Sequence, residues 1–463
     1  MVGKQAFTFI SLLLVWILMG GCSHFGHYPV NEPLDKCKPG YGYIAQNMIP
    51  PDNSEEFLLI LAFSGGGTRA AAFSYGVLEE LRATQVSLGG RRRSLLDEVD
   101  IISGASGGSF TAAYYGLFGD RIFEDFESRF LKKNIQGALA ARVFLNPINW
   151  FRLASPYFNR GDLAAEYYDE HIFERKTFGD FLKRKGPIVL LNATDMSKGT
   201  RLTFHQRFFD ALCSDLSKFS VARACAASSA FPGGLAPITL RNYAGRCGYP
   251  VPAHFEKVST DYRQKEMREN LMAVLDSNEK PYFHLIDGGV VDYIGLRAIE
   301  ESVSAVGDMW TTLKLTGREK VRKVVFVVVN AEERVDDRWD KTEHSPPFPT
   351  VLKSYVSITI SRYNLETLAL LRESFERWTQ EIRTGRCPPG QISTEPRSCG
   401  DITFYLVEVK FGNLEDPTER SYMNQLPTSF DLKGEQVDKL REAARQLLRK
   451  SEDFQRLLQD LER

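Results

Sequence analysis

Three short stretches of this chain carry residue types that together can do acyl-transfer chemistry. The first is Gly104-Ala105-Ser106-Gly107-Gly108, which follows the apolar run Val99 to Ile102 and precedes the small-residue run ending in Ala112-Ala113-Tyr114-Tyr115. A strand that turns sharply into a helix around one serine exposes that hydroxyl at the edge of a sheet as a nucleophile. Gly104 and Gly108 flank it because a tight turn crowds the backbone and a missing Cβ relieves the clash. Glycine and serine also cluster in ordinary turns, so the pentapeptide gains its meaning from its company.

About forty residues upstream, Phe57 to Phe63 (FLLILAF) reads as a buried strand, a continuous apolar run bounded by polar residues. Ser64-Gly65-Gly66-Gly67-Thr68-Arg69 follows, then a helical pattern through Ala70 to Leu78 and Leu81. Three glycines between a strand and a helix leave N–H groups free to converge, and the helix N-terminus adds partial positive charge. Such a loop suits an anion, either a phosphate or the oxyanion of an acyl-transfer intermediate. A P-loop is excluded because no Lys follows these glycines. The dinucleotide pattern is not excluded by spacing, since its frame at Gly65 ends on a tolerated Ala70. Arg69 has three readings here: fixing the loop, meeting a phosphate, or forming a surface ion pair.

The third stretch is Asp287-Gly288-Gly289, after Tyr282-Phe283-His284-Leu285-Ile286. An acid at the end of an apolar strand can stay shielded yet approachable. As a general base it can take the proton of Ser106 if the fold brings the two within hydrogen-bond reach. The plainer alternatives are a carboxylate capping the next helix, at Asp292 to Glu300, or a turn residue.

Together the three stretches resemble the patatin-like phospholipase family, over roughly Ser54 to Leu448. The resemblance makes Gly65, Gly66, Gly67, Thr68 and Arg69 the oxyanion loop. It makes Gly104 and Gly108 the elbow around the nucleophile Ser106, and Asp287 with Gly288 and Gly289 the acid motif. Asn192-Ala193-Thr194-Asp195 and Ala227-Ser228-Ser229-Ala230-Phe231-Pro232-Gly233 also look like the family. Ala70 stands where many members place Gly, a change that leaves the N–H donors in place. The family implies a three-layer α/β/α fold with a mostly parallel sheet. It also implies hydrolysis of membrane-lipid acyl esters, of phospholipase A or lysophospholipase type, by a Ser–Asp dyad with no cofactor and no metal.

The histidines permit an independent check. A triad of α/β-hydrolase order places its histidine after the acid, and after Asp287 that leaves His344, in the proline-broken segment Glu343-His344-Ser345-Pro346-Pro347. His254 or His284 would need an earlier acid such as Asp195 or Asp215. The dyad is therefore the preferred reading, with two alternatives: a Ser-His-Asp esterase or acyltransferase, and a non-catalytic envelope lipoprotein that keeps the fold as a binding module.

The elements that must position these residues follow from the rest of the chain. At 463 residues, 43% apolar and 25% charged, it can bury a substantial core in one to three domains. A net charge of −1 gives no general electrostatic case for nucleic acid; Arg91-Arg92-Arg93 reads as solvated surface. Strands are expected at Pro187 to Leu191, Tyr282 to Ile286, Val321 to Val329 and Asp401 to Phe411, alternating with helices around a parallel-rich sheet. The organisation expected is a signal over 1–21, a tether over 22–52, a catalytic core over 53–331, an insertion over 332–400, and a last strand with C-terminal helices over 401–463. Within the insertion, Val351 to Ile382 has helical spacing, read as a hairpin packed on the core or as a lipid-facing lid. Gly434 to Leu461 reads as a charged amphipathic helix with Leu440, Leu447 and Leu448 on one side.

Lys4, the apolar run Phe7 to Met19 and Met19-Gly20-Gly21-Cys22 look like a bacterial lipoprotein signal, with Cys22 the acylation point. Met19 stands where Leu is commonest. Ser23 after the Cys favours the outer membrane, facing the periplasm, if the cell has such an envelope; acylation would anchor the chain there. Six further cysteines, Cys37, Cys213, Cys225, Cys247, Cys387 and Cys399, suit disulfides outside the cytoplasm. Cys387 and Cys399 flank a Pro/Gly/Ser segment and are paired on that ground; the other four stay unassigned. No C-x-x-C or H-E-x-x-H occurs, which argues against zinc.

Overall fold

The apolar run Phe57–Phe63 forms strand β1, buried along its whole length. Period two divides its side chains between two cores. Phe57, Leu59, Leu61 and Phe63 join one hydrophobic cluster, while Leu58, Ile60 and Ala62 join the other. A strand covered on both faces is the mark of a three-layer α/β/α arrangement. The computed structural model describes residues 30–462, apart from residues 39, 49, 51, 232–233, 253–254, 256–261, 334–336, 388–398 and 400. The expected signal over 1–21 and the acylation point Cys22 lie outside the described residues.

The other strands are β2 (Gln85–Leu88), β3 (Arg91–Ser94), β4 (Val99–Ala105), β5 (Ile188–Asp195), β6 (Thr200–Thr203), β7 (Ile238–Arg241), β8 (Tyr282–Asp287), β9 (Lys323–Asn330) and β10 (Thr403–Lys410). The main sheet runs β10-β9-β1-β4-β5-β8-β7, with β6 on β5. The pairs from β10 through to β5 are all parallel, whereas β8 runs antiparallel to β5 and to β7. The triple-arginine run is strand β3 of the small β2–β3 hairpin.

The helices that position the site or cover the sheet are α1 (Gly67–Ala83), α2 (Gly107–Phe118), α3 (Ile135–Phe144), α4 (Pro147–Leu153), α5 (Arg160–His171), α6 (Val221–Ser228), α7 (Arg297–Ser304), α8 (Met309–Thr316), α9 (Phe348–Arg386), α10 (Gly434–Lys450) and α11 (Glu452–Glu462). Helices α1, α2, α6, α10 and α11 cover one face. Helices α7 and α8 and the C-terminal half of α9 cover the other. The C-terminal pattern is thus two helices, broken at Ser451, with Leu440, Leu447 and Leu448 buried as expected.

Between β9 and β10 the expected hairpin is instead one helix, α9, of 39 residues. The two strands are parallel neighbours, and such a pair needs a crossover connection, which α9 supplies. Its C-terminal half buries Leu371, Trp378 and Ile382, while Phe348, Leu352 and Tyr355 near its start are exposed. Cys387 and Cys399 form a disulfide, as do Cys213 and Cys247, whereas Cys37 and Cys225 are buried free thiols. Part of the stretch read as a tether is fastened to the body. Pro33 bridges to Ser214, the buried Asn31 bonds both Arg241 and Ser214, and the Tyr43 hydroxyl meets Val189 in the core.

Candidate active site

Two strands arriving from opposite directions bring the nucleophile and the acid together. Ala105, at the end of β4, stands beside Asn192 of β5, and the next residue, Ala193, stands beside Asp287 at the end of β8. Strand β8 overlaps only the last part of β5, so its carboxyl end stops at the same rim as that of β4. Ser106 follows directly and turns the chain into α2 with φ 48° and ψ −120°. A non-glycine residue rarely adopts this conformation, and it marks local backbone strain.

The Ser106 hydroxyl donates to Asp287 Oδ2 at 2.7 Å, and the Gly289 N–H donates to Oδ1 at 2.7 Å. Both side chains are buried. Burial pushes the Asp287 carboxyl up to about 6, the bonds from Ser106 and Gly289 pulling the other way. Asp287 thereby also bonds the first N–H of the short helical turn Gly289–Asp292, while Asp292 accepts the N–H groups of Arg297 and Ala298 at the start of α7. Among the described residues, no histidine bonds Ser106 or Asp287. His284 faces Thr239 at an exposed position, and His205 caps a helix through the Phe208 N–H. His344 is exposed, and His254 lies outside the described residues.

The glycine loop lies against the serine: a Cβ on Gly65 would stand 3.3 Å from that of Ser106. Its five expected contributors divide. The Gly65 N–H donates to the Tyr293 carbonyl and the Thr68 N–H to that of Ser429, both at 2.9 Å. Arg69 is buried, and its guanidinium bonds the Ala331 and Leu426 carbonyls, Thr428 and Glu333. These bonds tie the start of α1 to the segments at Ala331–Glu333 and Leu426–Thr428. Among the described residues, the N–H groups of Gly66 and Gly67 meet no acceptor, nor does that of Gly107 after the serine. A Cβ on Gly107 would stand 2.7 Å from the Gly67 nitrogen and closer still to its carbonyl oxygen. These two loops therefore touch, and three unpaired amides gather beside Ser106.

Residues that no catalytic motif singles out hold this arrangement. The Ser106 N–H donates to Ser228 Oγ at 2.9 Å, and the Ser228 hydroxyl donates to the Asn192 carbonyl at 2.6 Å. The Asn192 side-chain amide reaches Ser103 and the Gly104 carbonyl. The Asp287 N–H donates to the Ala230 carbonyl, Gly288 N–H to that of Ser228, and Thr194 Oγ1 to the Asp287 carbonyl. A Cβ on Gly288 would collide with the Asn192 carbonyl. The stretches Asn192–Asp195 and Ala227–Phe231 thus form the seam between nucleophile and acid. Among the described residues there is no cluster of His, Cys, Asp and Glu able to hold a metal ion.

The family described as patatin-like phospholipase matches residues 61–298, just over half of the chain. No curated protein matches the chain. Among solved structures, human GIVD cytosolic phospholipase A2 is similar at 13% identity and a TM-score of 0.44, over 88% of this chain and 60% of that one. VipD from Legionella pneumophila is similar at 13% identity and a TM-score of 0.27, over 84% of this chain and 67% of that one. The chain therefore spans less than two thirds of the human enzyme's length, and these likenesses concern the fold alone.

Proposed function

Because the chain belongs to the patatin-like phospholipase family, we propose that it hydrolyses acyl esters of membrane lipids, with Ser106 as nucleophile and Asp287 as general base. One observation carries this reading: a strained serine shares its hydroxyl proton with a lone buried carboxylate, beside three amides that lack acceptors.

In the proposed cycle Ser106 Oγ attacks the ester carbonyl carbon as its proton passes to Asp287. The N–H groups of Gly66, Gly67 and Gly107 receive the charge that develops on the carbonyl oxygen. The tetrahedral intermediate collapses, the C–O bond to the leaving alcohol or lysolipid breaks, and that alcohol takes the proton back from Asp287. Water then gives a proton to Asp287 as it attacks the acyl-serine; the bond from the acyl carbon to Ser106 Oγ breaks, Oγ takes that proton back from Asp287, and the acid is released. A free Asp titrates near 3.9 and is a weak base; burial that lifts Asp287 to about 6 strengthens it. The site adds roughly a hundred- to thousandfold for each well-aimed amide.

The direct test is labelling with a fluorophosphonate probe, which reacts with an activated serine. The full chain is expected to label and Ser106→Ala to remain blank; labelling that survives the substitution would move the nucleophile elsewhere. The base also fixes a pH profile. It must be ionised to act, so kcat/KM on p-nitrophenyl butyrate should fall about tenfold per unit below pH 6 and level off above it. A limb near pH 7 that disappears on changing a histidine would replace the carboxylate with an imidazole.

A further inference from the structure

Helices α3 and α4 form a hairpin whose turn points its apolar residues outward. Phe144 is 71% exposed and Leu145 80%, and Ile148, Trp150, Phe151 and Tyr157 are each more than half exposed. From Phe144 to Ile148 every residue is exposed. Soluble proteins rarely leave so many large apolar side chains together without a partner. The turn is built to be rigid. Asn146 accepts the Ile148 N–H as the cap of α4, Pro147 occupies its first position, and Asn149 Nδ2 donates to the Arg142 carbonyl. The Trp150 indole N–H donates to the Val143 carbonyl at 2.8 Å, so its ring can leave water without stranding a donor.

Charge narrows the occupant. From Ser128 to Gly161 the chain has no Asp or Glu but six Lys or Arg. Of these, Arg129 pairs with Asp125 and Glu174, Lys132 with Glu127 and Asp438, and Arg142 and Arg152 with Glu170 and Glu166 of α5, the last two fastening the hairpin to the body. Aromatic and aliphatic side chains at an exposed turn that carries no carboxylate match the interface of a bilayer. Among the described residues no helix is long and apolar enough to cross a membrane.

Position ties this surface to the site. At one foot of the hairpin, the Ile135 and Gln136 N–H groups donate to the Phe430 carbonyl, and the adjacent Ser429 carbonyl takes the Thr68 N–H of the glycine loop. Beyond the other foot, Asn159 Nδ2 donates to the Pro237 carbonyl, on the segment that begins with the Ala230 carbonyl bonded by the Asp287 N–H. Phe231, on that segment, is half exposed.

We propose that the α3–α4 hairpin is a wedge that enters the headgroup and upper acyl region of a lipid bilayer and sets the mouth of the site against it. The proposal rests on the hydrolase reading for its purpose but not for its test. Acylation at Cys22 would itself retain the chain on vesicles, so the readout is local. The full chain carrying Ser106→Ala is added to phosphatidylethanolamine–phosphatidylglycerol vesicles with brominated acyl chains. The fluorescence that Trp150→Phe removes is expected to be quenched by those chains and shielded from iodide. In a chain with intact Ser106, changing Phe144, Leu145 and Ile148 to Ser should keep p-nitrophenyl butyrate turnover within twofold. Hydrolysis of vesicle phospholipid should fall roughly a hundredfold. Trp150 fluorescence unquenched by the lipid, or a dimer in solution that the triple variant abolishes, would overturn the proposal. A chain that is quenched yet hydrolyses neither ester would sink the hydrolase reading and leave the wedge standing.

Discussion

Asp287→Asn is expected to lower ester turnover by at least about a thousandfold and to make the protein harder to unfold. The first effect follows from losing the base: asparagine has one acceptor oxygen, and with that oxygen held by the Gly289 N–H its amide faces Ser106 as a donor and cannot take the hydroxyl proton, a role worth roughly a hundred- to ten-thousandfold elsewhere. The second follows from linkage. The folded carboxyl titrates near 6 and the unfolded one near 3.8. Below about 3.8 both states hold the proton, and its ionisation costs the folded chain nothing. Between 3.8 and 6 the unfolded chain releases it first, and native stability declines. Above 6 the folded chain carries a buried carboxylate. The gap between the two values, at about 1.4 kcal/mol for each tenfold change in acidity, makes that cost about 3 kcal/mol. Asparagine removes it. Thermal unfolding at pH 8 should show the variant a few degrees more stable, with the difference closing below pH 4. A variant less stable at pH 8 would mean that the carboxylate is better solvated than its burial implies.

Gly107→Ala should be the most damaging single-methyl change in the chain for catalysis, lowering kcat/KM at least a thousandfold. The added Cβ has nowhere to go: Gly67 backbone occupies its place. Either the Gly65–Gly67 loop retreats from Ser106 or the start of α2 tilts, and both movements misaim unpaired amides. Losing one oxyanion donor typically costs a hundred- to thousandfold, and here two loops shift together. The loss should appear in kcat rather than KM, because the amides meet charge that exists only at the top of the barrier. Circular dichroism should remain native in shape. A variant with native turnover would place the oxyanion elsewhere.

The sequence exposed the ends of the strands better than the chain between them. The Ser64–Arg69 loop and the Ser106 elbow each follow a strand that stays buried, and apolar runs closed by glycine are strong local signals. Ser228 and Asn192 lie in stretches that resemble the family, but their roles were not local: a hydroxyl at the end of α6 and an amide on β5 acquire them only when the fold sets both beside the Ser106 elbow. The division within the glycine loop was equally hidden: whether the N–H of Gly65 or Gly66 stays unpaired depends on Tyr293, more than two hundred residues away. The single helix α9 was readable in hindsight. Between Pro349 and Gly385 the chain has no glycine or proline, and a hairpin without a breaker has no place to turn. The six cysteines mislead in the other direction, because an even number includes two buried thiols that stay unpaired.

The contorted backbone at Ser106 has an evolutionary corollary. Its φ and ψ belong to glycine's territory, and holding serine there costs on the order of 1–3 kcal/mol. Only a need for the alcohol justifies that burden. A descendant gene released from turnover would gain folding stability by drifting to glycine at this codon. A glycine there, with Asp287 still present, would be the imprint of a retired enzyme.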